Sequence, residues 1–359
     1  MIINVTKPYL PDIKKYERYI ESIYKNNWLT NHGPLEKELT MRLSEYLGVK
    51  NIVLVANGTL ALSLAYKLLG LKNKAITTPF SFVATTSSLQ WDNITPIFSD
   101  IDPKTFNLNP HLIEDCINSE VDAIVPVHIF GNACEIDNIQ QVADRNDLRV
   151  VYDASHAFGV KYKNESILSY GDVSTLSFHA TKLFHTVEGG ALVVNDDELY
   201  NTAKNIVNFG YDNAGMISDL GINAKLSEFH AAMGLAVLDD IDDILEKRQK
   251  IVEHYDLLLG DLFEYQQYNI DSTRNYSYYP VLFESEEKLT ECERHLNENG
   301  VFPKRYFTPS LDKVAYVESS FDVPMSWDIS SRILCLPLYP DLLISDVEFI
   351  VDKIKEVLN

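Results

Sequence analysis

Between about residues 50 and 195, short runs of β-branched and aliphatic residues alternate with segments whose apolar positions recur every three or four residues. The short runs predict strands at Ile52–Val55, Ala75–Thr77, Pro96–Phe98, Ala123–Val127, Val150–Tyr152, Val173–Phe178 and Ala191–Val194. Between them, Leu60, Ala61, Leu64, Ala65 and Leu68 share one helical face, and Ile136, Ile139, Val142 and Ala143 share another. Strands this apolar are covered on both faces, and their alternation with helices makes the sheet mostly parallel, so the fold class is α/β. After about residue 240 the pattern changes to a charged helix around Asp239–Tyr255, mixed strands, and a closing helix with Val347, Ile350, Val351, Ile354 and Leu358 on one face. The chain thus divides into a large unit, residues 1–240, and a smaller C-terminal α+β unit, residues 241–359.

Polar residues that follow the last apolar residue of a strand lie at the carboxyl edge of the sheet, where open α/β folds bind ligands. Three such places stand out. Asn57-Gly58-Thr59 links a strand to a helix, so its N–H groups and the Thr59 hydroxyl suit a phosphate, although Gly and a capping Thr serve such a turn equally well. Asp153 precedes Ala154-Ser155-His156, and a carboxylate buried there needs a partner: a protonated cofactor nitrogen, a structural cation or a helix terminus. Lys182 lies just beyond the strand expected over Val173–Phe178; half-buried, it tends to the neutral amine, a nucleophile and base, while on an exposed loop it is an ordinary cation. A phosphate cradle, a carboxylate for a ring nitrogen and a lysine for a Schiff base are together the requirements of pyridoxal phosphate.

Charge narrows the partners. Lys and Arg number 31 against 52 Asp and Glu, a formal charge of −21, which leaves no footprint for nucleic acid or an anionic membrane. An anionic ligand then needs a local basic pocket, for which Lys7, Lys225, Lys304 and Arg305 are the candidates. The first residues carry no export signal and no run approaches the roughly 18 apolar residues of a membrane span, so a cytoplasmic location is expected. Cys116, Cys134, Cys292 and Cys335 are far apart, without a CxxC pair; they predict reduced, buried thiols and no metal site.

The chain resembles the DegT/DnrJ/EryC1/StrS family of pyridoxal-phosphate-dependent sugar-nucleotide aminotransferases almost end to end. The likeness is carried by Trp28-Leu29-Thr30-Asn31-His32-Gly33-Pro34, Ala56-Asn57-Gly58-Thr59, the segment Thr78 to Thr85, Pro126 to Gly131, Asp153 to His156, Ser177 to Lys182, Gly221 to Glu228, and Arg305 to Pro309. It implies fold type I, that of aspartate aminotransferase, and a homodimer with two shared active sites. By the same resemblance Lys182 carries the cofactor as a Schiff base and shuttles the proton, and Asp153 keeps the pyridine nitrogen protonated. Phe82 stacks on the ring, while Gly58, Thr59 and Ser177 bind the phosphate together with Asn223 of the second subunit. The family often has Gln, Ser, Trp and Arg where this chain has His156, Asn57, Phe82 and Lys225. His156 and Asn57 keep hydrogen-bonding capacity and Phe82 keeps a π face, but Lys225 gives up the guanidinium fork.

The resemblance also implies the reaction: L-glutamate as amino donor and a nucleotide-linked keto sugar as acceptor. Around Lys182 and around Val127-His128-Ile129-Phe130-Gly131-Asn132, the chain is most similar to enzymes that aminate C4 of dTDP-4-dehydro-6-deoxy-D-glucose to give dTDP-4-amino-4,6-dideoxy-D-glucose. The substrate side is then expected from Lys7, Asn31, His179, His185, Lys225, Arg305 and Tyr306, with Arg305 favoured for the diphosphate. A C3-keto or UDP- or GDP-linked substrate, or a non-catalytic pyridoxal phosphate binder, are the alternatives. Surface polysaccharide, O-antigen or antibiotic sugar synthesis is suggested by analogy only.

Overall fold

The computed structural model describes residues 2–317 and 321–358. A seven-stranded sheet forms its centre, built from β1 (Ile52–Val55), β2 (Lys74–Thr77), β3 (Thr95–Phe98), β4 (Val121–Val125), β5 (Arg149–Asp153), β6 (Val173–Ser177) and β7 (Gly190–Val194). Their spatial order is β1-β7-β6-β5-β4-β2-β3. All run parallel except β7, which pairs antiparallel with both neighbours. The strand expected over Ala123–Val127 ends instead at Val125, because Pro126 has no N–H to give the ladder; its carbonyl still accepts from Asp153 N at 2.9 Å.

Alternation along each strand feeds two cores. Ile52 and Leu54 pack on one face with the helices Pro34–Leu47, Ile136–Asn146 and Glu228–Leu238. Val53 and Val55 pack on the other with Gly58–Leu68 and Asp197–Ile206. Burial on both sides is the reason β1 and β7 carry no polar residue at any position.

A third core belongs to the C-terminal unit. It gathers the helices Ile241–Leu259, Glu286–Glu298 and Ile344–Leu358 around the antiparallel pair Pro280–Leu282 and Ile333–Cys335. The strand Ile3–Asn4 pairs parallel with Val301–Phe302, and Ile3 is buried in this same core. Ile3 and Asn4 therefore pair with the small unit, although they lie within residues 1–240. Phe80, Phe106, Val127 and Phe130 of the large unit meet Leu282, Phe307 and Cys335 of the small one in a further apolar cluster. That cluster is the floor from which the cleft opens.

Candidate active site

A cleft of about 340 Å³ opens at the carboxyl edge of the sheet. Its inner wall is Asn57, Gly58, Thr59, Phe82, Asp153, His156, Ser177 and Lys182, and its outer wall includes His179, Glu188, Tyr278, Lys304, Tyr306 and Phe307.

Strand order brings the inner residues together. Gly190, first in β7, lies opposite Val55 on one side and Ser177 on the other. The turn after β1 and the end of β6 thus come within reach of each other. Glycine is needed at this contact: a Cβ on Gly190 would lie 2.7 Å from the carbonyl of Asn57, and one on Gly58 would lie 2.8 Å from the Ser177 Cβ. Asn57 caps the helix Gly58–Leu68, its Oδ1 accepting from Leu60 N at 2.9 Å. The N–H groups of Gly58 and Thr59, in the helix's first turn, are left for a ligand and lie with the Thr59 and Ser177 hydroxyls around one concavity.

Asp153, the last residue of β5, is 5% exposed. Its carboxylate accepts from Thr85 Oγ1 at 2.8 Å and from Ser155 N at 3.1 Å, and Thr85 in turn accepts from Ser81 Oγ at 3.0 Å. Among the described residues no cation forms a salt bridge with it, although Lys182 feels its charge, and the carboxylate faces the cleft, where a positive partner can be held. His156 is neutral: burial, and then the charge of Lys182, hold its pKa well below the usual histidine range. Its Nδ1 accepts from Phe130 N at 3.2 Å, which puts the ring proton on Nε2 and leaves that donor for the cleft. Phe130 and Phe307 stack parallel to this imidazole, with centroids at 6.2 and 6.0 Å.

Burial pushes Lys182 down to about 8, against the opposing pull of Asp153. Half of the amine is therefore neutral near pH 8, where an ordinary lysine is almost wholly protonated, and that fraction can act as nucleophile and base. Phe82, the residue before the helix Val83–Trp91, is 56% exposed although aromatic, and lines the cavity. An anion cradle, a buried carboxylate without a salt bridge, an exposed aromatic ring and a depressed lysine fit the phosphate, ring nitrogen, ring face and aldehyde of pyridoxal phosphate.

On the substrate side the structure brings His179 and Tyr306 to the cleft. His179 shares a 2.8 Å bond through Nδ1 with Thr181 Oγ1 and lies 3.7 Å from Glu188. The other expected residues lie elsewhere in this chain. Arg305 does not line the cleft, whereas its neighbours Lys304 and Tyr306 do. Arg305 instead donates from Nη2 to Glu286 Oε1 and to Ser331 O, both at 2.8 Å. His185 is 1% exposed and is a tether, its Nε2 2.7 Å from the carbonyl of Tyr9 and its Nδ1 accepting from Val187 N. Lys7 pairs with Asp341 at 3.3 Å on the surface. Lys225 donates to Asn208 Oδ1 at 2.8 Å and lies over the Phe209 ring. Asn31 and Asn223 are exposed outside the cleft of their own chain.

Sequence reasoning missed Thr85, Tyr278, Glu188 and Phe307 as cleft residues or their direct supports. Thr85 had a signal, three residues after Phe82 and so one helical turn away. Tyr278 had none, lying in the aromatic run Tyr276 to Tyr279.

A model of the DegT/DnrJ/EryC1/StrS aminotransferase family matches residues 12–355. The chain is 42% identical to the dTDP-4-amino-4,6-dideoxy-D-glucose transaminase of Shigella dysenteriae, over 99% of each chain. It is 36% identical to the protein of the same name from Escherichia coli, over 99% of this chain and 98% of that one. A GDP-perosamine synthase of Escherichia coli O157:H7 is 28% identical over 95% of each. Among solved structures, DesI with its TDP-sugar product superposes with a TM-score of 0.95 at 30% identity, covering 99% of this chain and 93% of that one. With a site that fits the cofactor and a likeness that runs the length of the chain, this protein belongs to the DegT/DnrJ/EryC1/StrS family and is a pyridoxal-phosphate-dependent aminotransferase.

Proposed function

We propose that the chain moves the amino group of L-glutamate to C4 of dTDP-4-dehydro-6-deoxy-D-glucose, giving dTDP-4-amino-4,6-dideoxy-D-glucose. The observation that carries this reading is the near-full-length likeness to the two transaminases named for that product. Pyridoxal phosphate supplies the aldehyde that takes up the amino group and the ring that withdraws electrons. Lys182 holds and moves the proton at its Nζ, and Asp153 keeps a proton on the ring nitrogen. Gly58, Thr59, Ser177 and Asn57 hold the phosphate. Phe82 covers a ring face, and His156 offers its Nε2–H to the phenolic oxygen. Lys304, Tyr306 and His179 face the sugar nucleotide, whose diphosphate needs a cation, and among the described residues of this outer wall Lys304 supplies it.

Two copies complete the site in this reading. Asn223 lies in a segment with exposed Met216, Ile217, Leu220 and Ile222, an apolar surface suited to burial against a second copy, where Asn223 would reach the neighbouring phosphate. The large and small units, residues 1–240 and 241–359 apart from the exchanged first strand, act as the two jaws. The enzyme works in the cytoplasm, on a soluble sugar nucleotide.

The test is a panel of dTDP-, UDP- and GDP-linked 4-keto sugars and a dTDP-linked 3-keto sugar, offered with glutamate to the purified protein, with products identified by mass and NMR. The reading expects kcat/KM for the dTDP-4-keto sugar at least about tenfold above the others, the discrimination that one well-made polar contact gives. A preference for any other member of the panel overturns it.

A further inference from the structure

Lys182 Nζ has a hydrogen-bond partner inside the protein: it donates to the Tyr278 hydroxyl at 3.4 Å. The Tyr278 ring is wedged among aromatics, tilted on His156 at 4.7 Å and Phe130 at 5.3 Å and edge-on to Tyr306 at 5.8 Å. Its backbone is held just as closely. Asn275 Nδ2 donates to His156 O at 2.8 Å and Phe158 O at 3.1 Å, and Ser277 Oγ donates to His156 O at 3.2 Å. Tyr276 sits between them at φ +54°, a left-handed conformation that a bulky residue adopts only when its surroundings impose it.

What imposes it is Arg248, on the helix Ile241–Leu259. Its Nε donates to Tyr276 O at 2.7 Å and its Nη2 to Ser277 O at 2.6 Å, the two carbonyls just before Tyr278. Arg248 is 6% exposed, and no carboxylate among the described residues pairs with it. Burial pushes its guanidinium down to about 10. A buried charge without a counter-ion is costly, and an apolar residue of similar volume fills such a place at no such cost. Packing therefore does not explain Arg248, whereas fixing the segment that carries Tyr278 does.

We infer that Tyr278 is a catalytic residue, whose hydroxyl oxygen takes one N–H of the Lys182 amine and so aims the amine's lone pair into the cleft, and that Arg248 is the positioning residue that holds Tyr278 in place. Lysine carries a mobile four-carbon stem, and tying one N–H stops its rotation where a proton must be taken and returned at a defined point. Tyr278 neither gains nor loses a proton over the cycle. Burial pushes its hydroxyl up, so it stays protonated while Lys182 alone moves the proton.

The inference rests on the proton-transfer role proposed for Lys182, not on the identity of the sugar, and it is tested with Tyr278→Phe, Arg248→Lys and Arg248→Met, with Lys182→Ala as control. Two readouts are combined. One is steady-state and single-turnover amination by the holoenzyme. The other is the pH dependence of Lys182 acylation in the full-length chain freed of cofactor, followed by peptide mass. Tyr278→Phe, which keeps the ring, is expected to lower kcat by roughly 10–100-fold, the worth of one hydrogen bond to a charged group, with the sugar-nucleotide KM within about twofold. The acylation midpoint of Lys182 should fall below its wild-type value, because the ammonium loses an acceptor. Arg248→Met should move both readouts the same way, and Arg248→Lys, which keeps a donor to one carbonyl, should recover part of the loss. Should Arg248→Met fail to fold, Tyr278→Phe and Arg248→Lys decide alone. An unchanged kcat and midpoint in Tyr278→Phe, or a rise confined to KM, overturns the assignment of Tyr278. A lowered melting temperature in Arg248→Lys with an unmoved midpoint overturns that of Arg248. If Lys182→Ala still aminates, the role of Lys182 itself is wrong, an outcome distinct from either.

Discussion

At the inner end of the cleft, Asn57, Asp153, Ser177 and Lys182 follow or end strands of one sheet at their carboxyl edge; at the outer end, Tyr278, Lys304, Tyr306 and Phe307 come from loop and turn segments of the C-terminal unit. Inner positions follow from strand register, since Gly190 must lie between Val55 and Ser177 and Asp153 beside Thr175. Outer positions follow from how two cores pack against each other through Phe80, Phe130, Leu282 and Phe307. Backbone pairing fixes chemistry that every aminotransferase of this kind needs. Side-chain packing is left to set which acceptor is admitted.

The sharpest break of this comparison is Asp153→Asn at the inner end. The amide keeps an oxygen for Thr85 Oγ1 or Ser155 N, so the fold is retained, but the buried charge is gone. Amination by glutamate is expected to slow about 10²–10³-fold, the scale for removing one preorganised electrostatic group from a site closed to water. Stopped-flow absorbance of the bound cofactor reads this directly. A loss below about tenfold would mean that the inner end does not depend on that charge.

Next in size is a pH effect at Lys182. Its amine titrates near 8 because burial disfavours the ammonium. Below that pH the rate at which the cofactor-free protein captures pyridoxal phosphate should rise about tenfold per pH unit, following the neutral amine, and it should flatten above. The same sign governs stability. The folded-state value lies below the unfolded lysine's, so the cofactor-free protein gains stability as pH climbs from about 8 toward the ordinary lysine range and loses it on the way down. Capture that keeps accelerating well beyond pH 9 would show that Lys182 is not closed off from water.

The same division explains what was legible in the sequence. Apolar runs flanked by single polar residues announce strand ends, and all seven expected strands are present, with ends displaced by at most two residues. The reversed direction of β7 left no trace, because a strand buried on both faces reads alike in either direction. Asn57, Asp153, Ser177 and Lys182 line one cleft because a strand end places a side chain without reference to distant residues. His185 and Arg305 do not line the cleft, because their partners, the Tyr9 carbonyl and Glu286, are chosen by tertiary packing. Lys225 and Lys7, likewise, are committed to Asn208 and Asp341. A cation's type and its nearness to a motif do not say which way it points.

Adjacent residues at the outer end therefore offer the finest comparison, Lys304→Ala against Arg305→Ala. Lys304 is exposed at the cleft wall over the Tyr306 ring, with its ammonium 5.6 Å from the ring centroid. Its loss should raise the sugar-nucleotide KM roughly 5–20-fold through one missing charge-assisted contact to a phosphate, with the glutamate KM within about twofold. Arg305 faces away, tied to Glu286 and to the Ser331 carbonyl, with its Nε buried and unsatisfied. Removing it should cost about 1–2 kcal/mol of stability, seen as a lower melting temperature, while both KM values stay within about twofold. If Arg305→Ala instead raises the sugar-nucleotide KM and Lys304→Ala does not, the two side chains would have to exchange places on binding. The outer end would then be a moving surface, unlike the inner one.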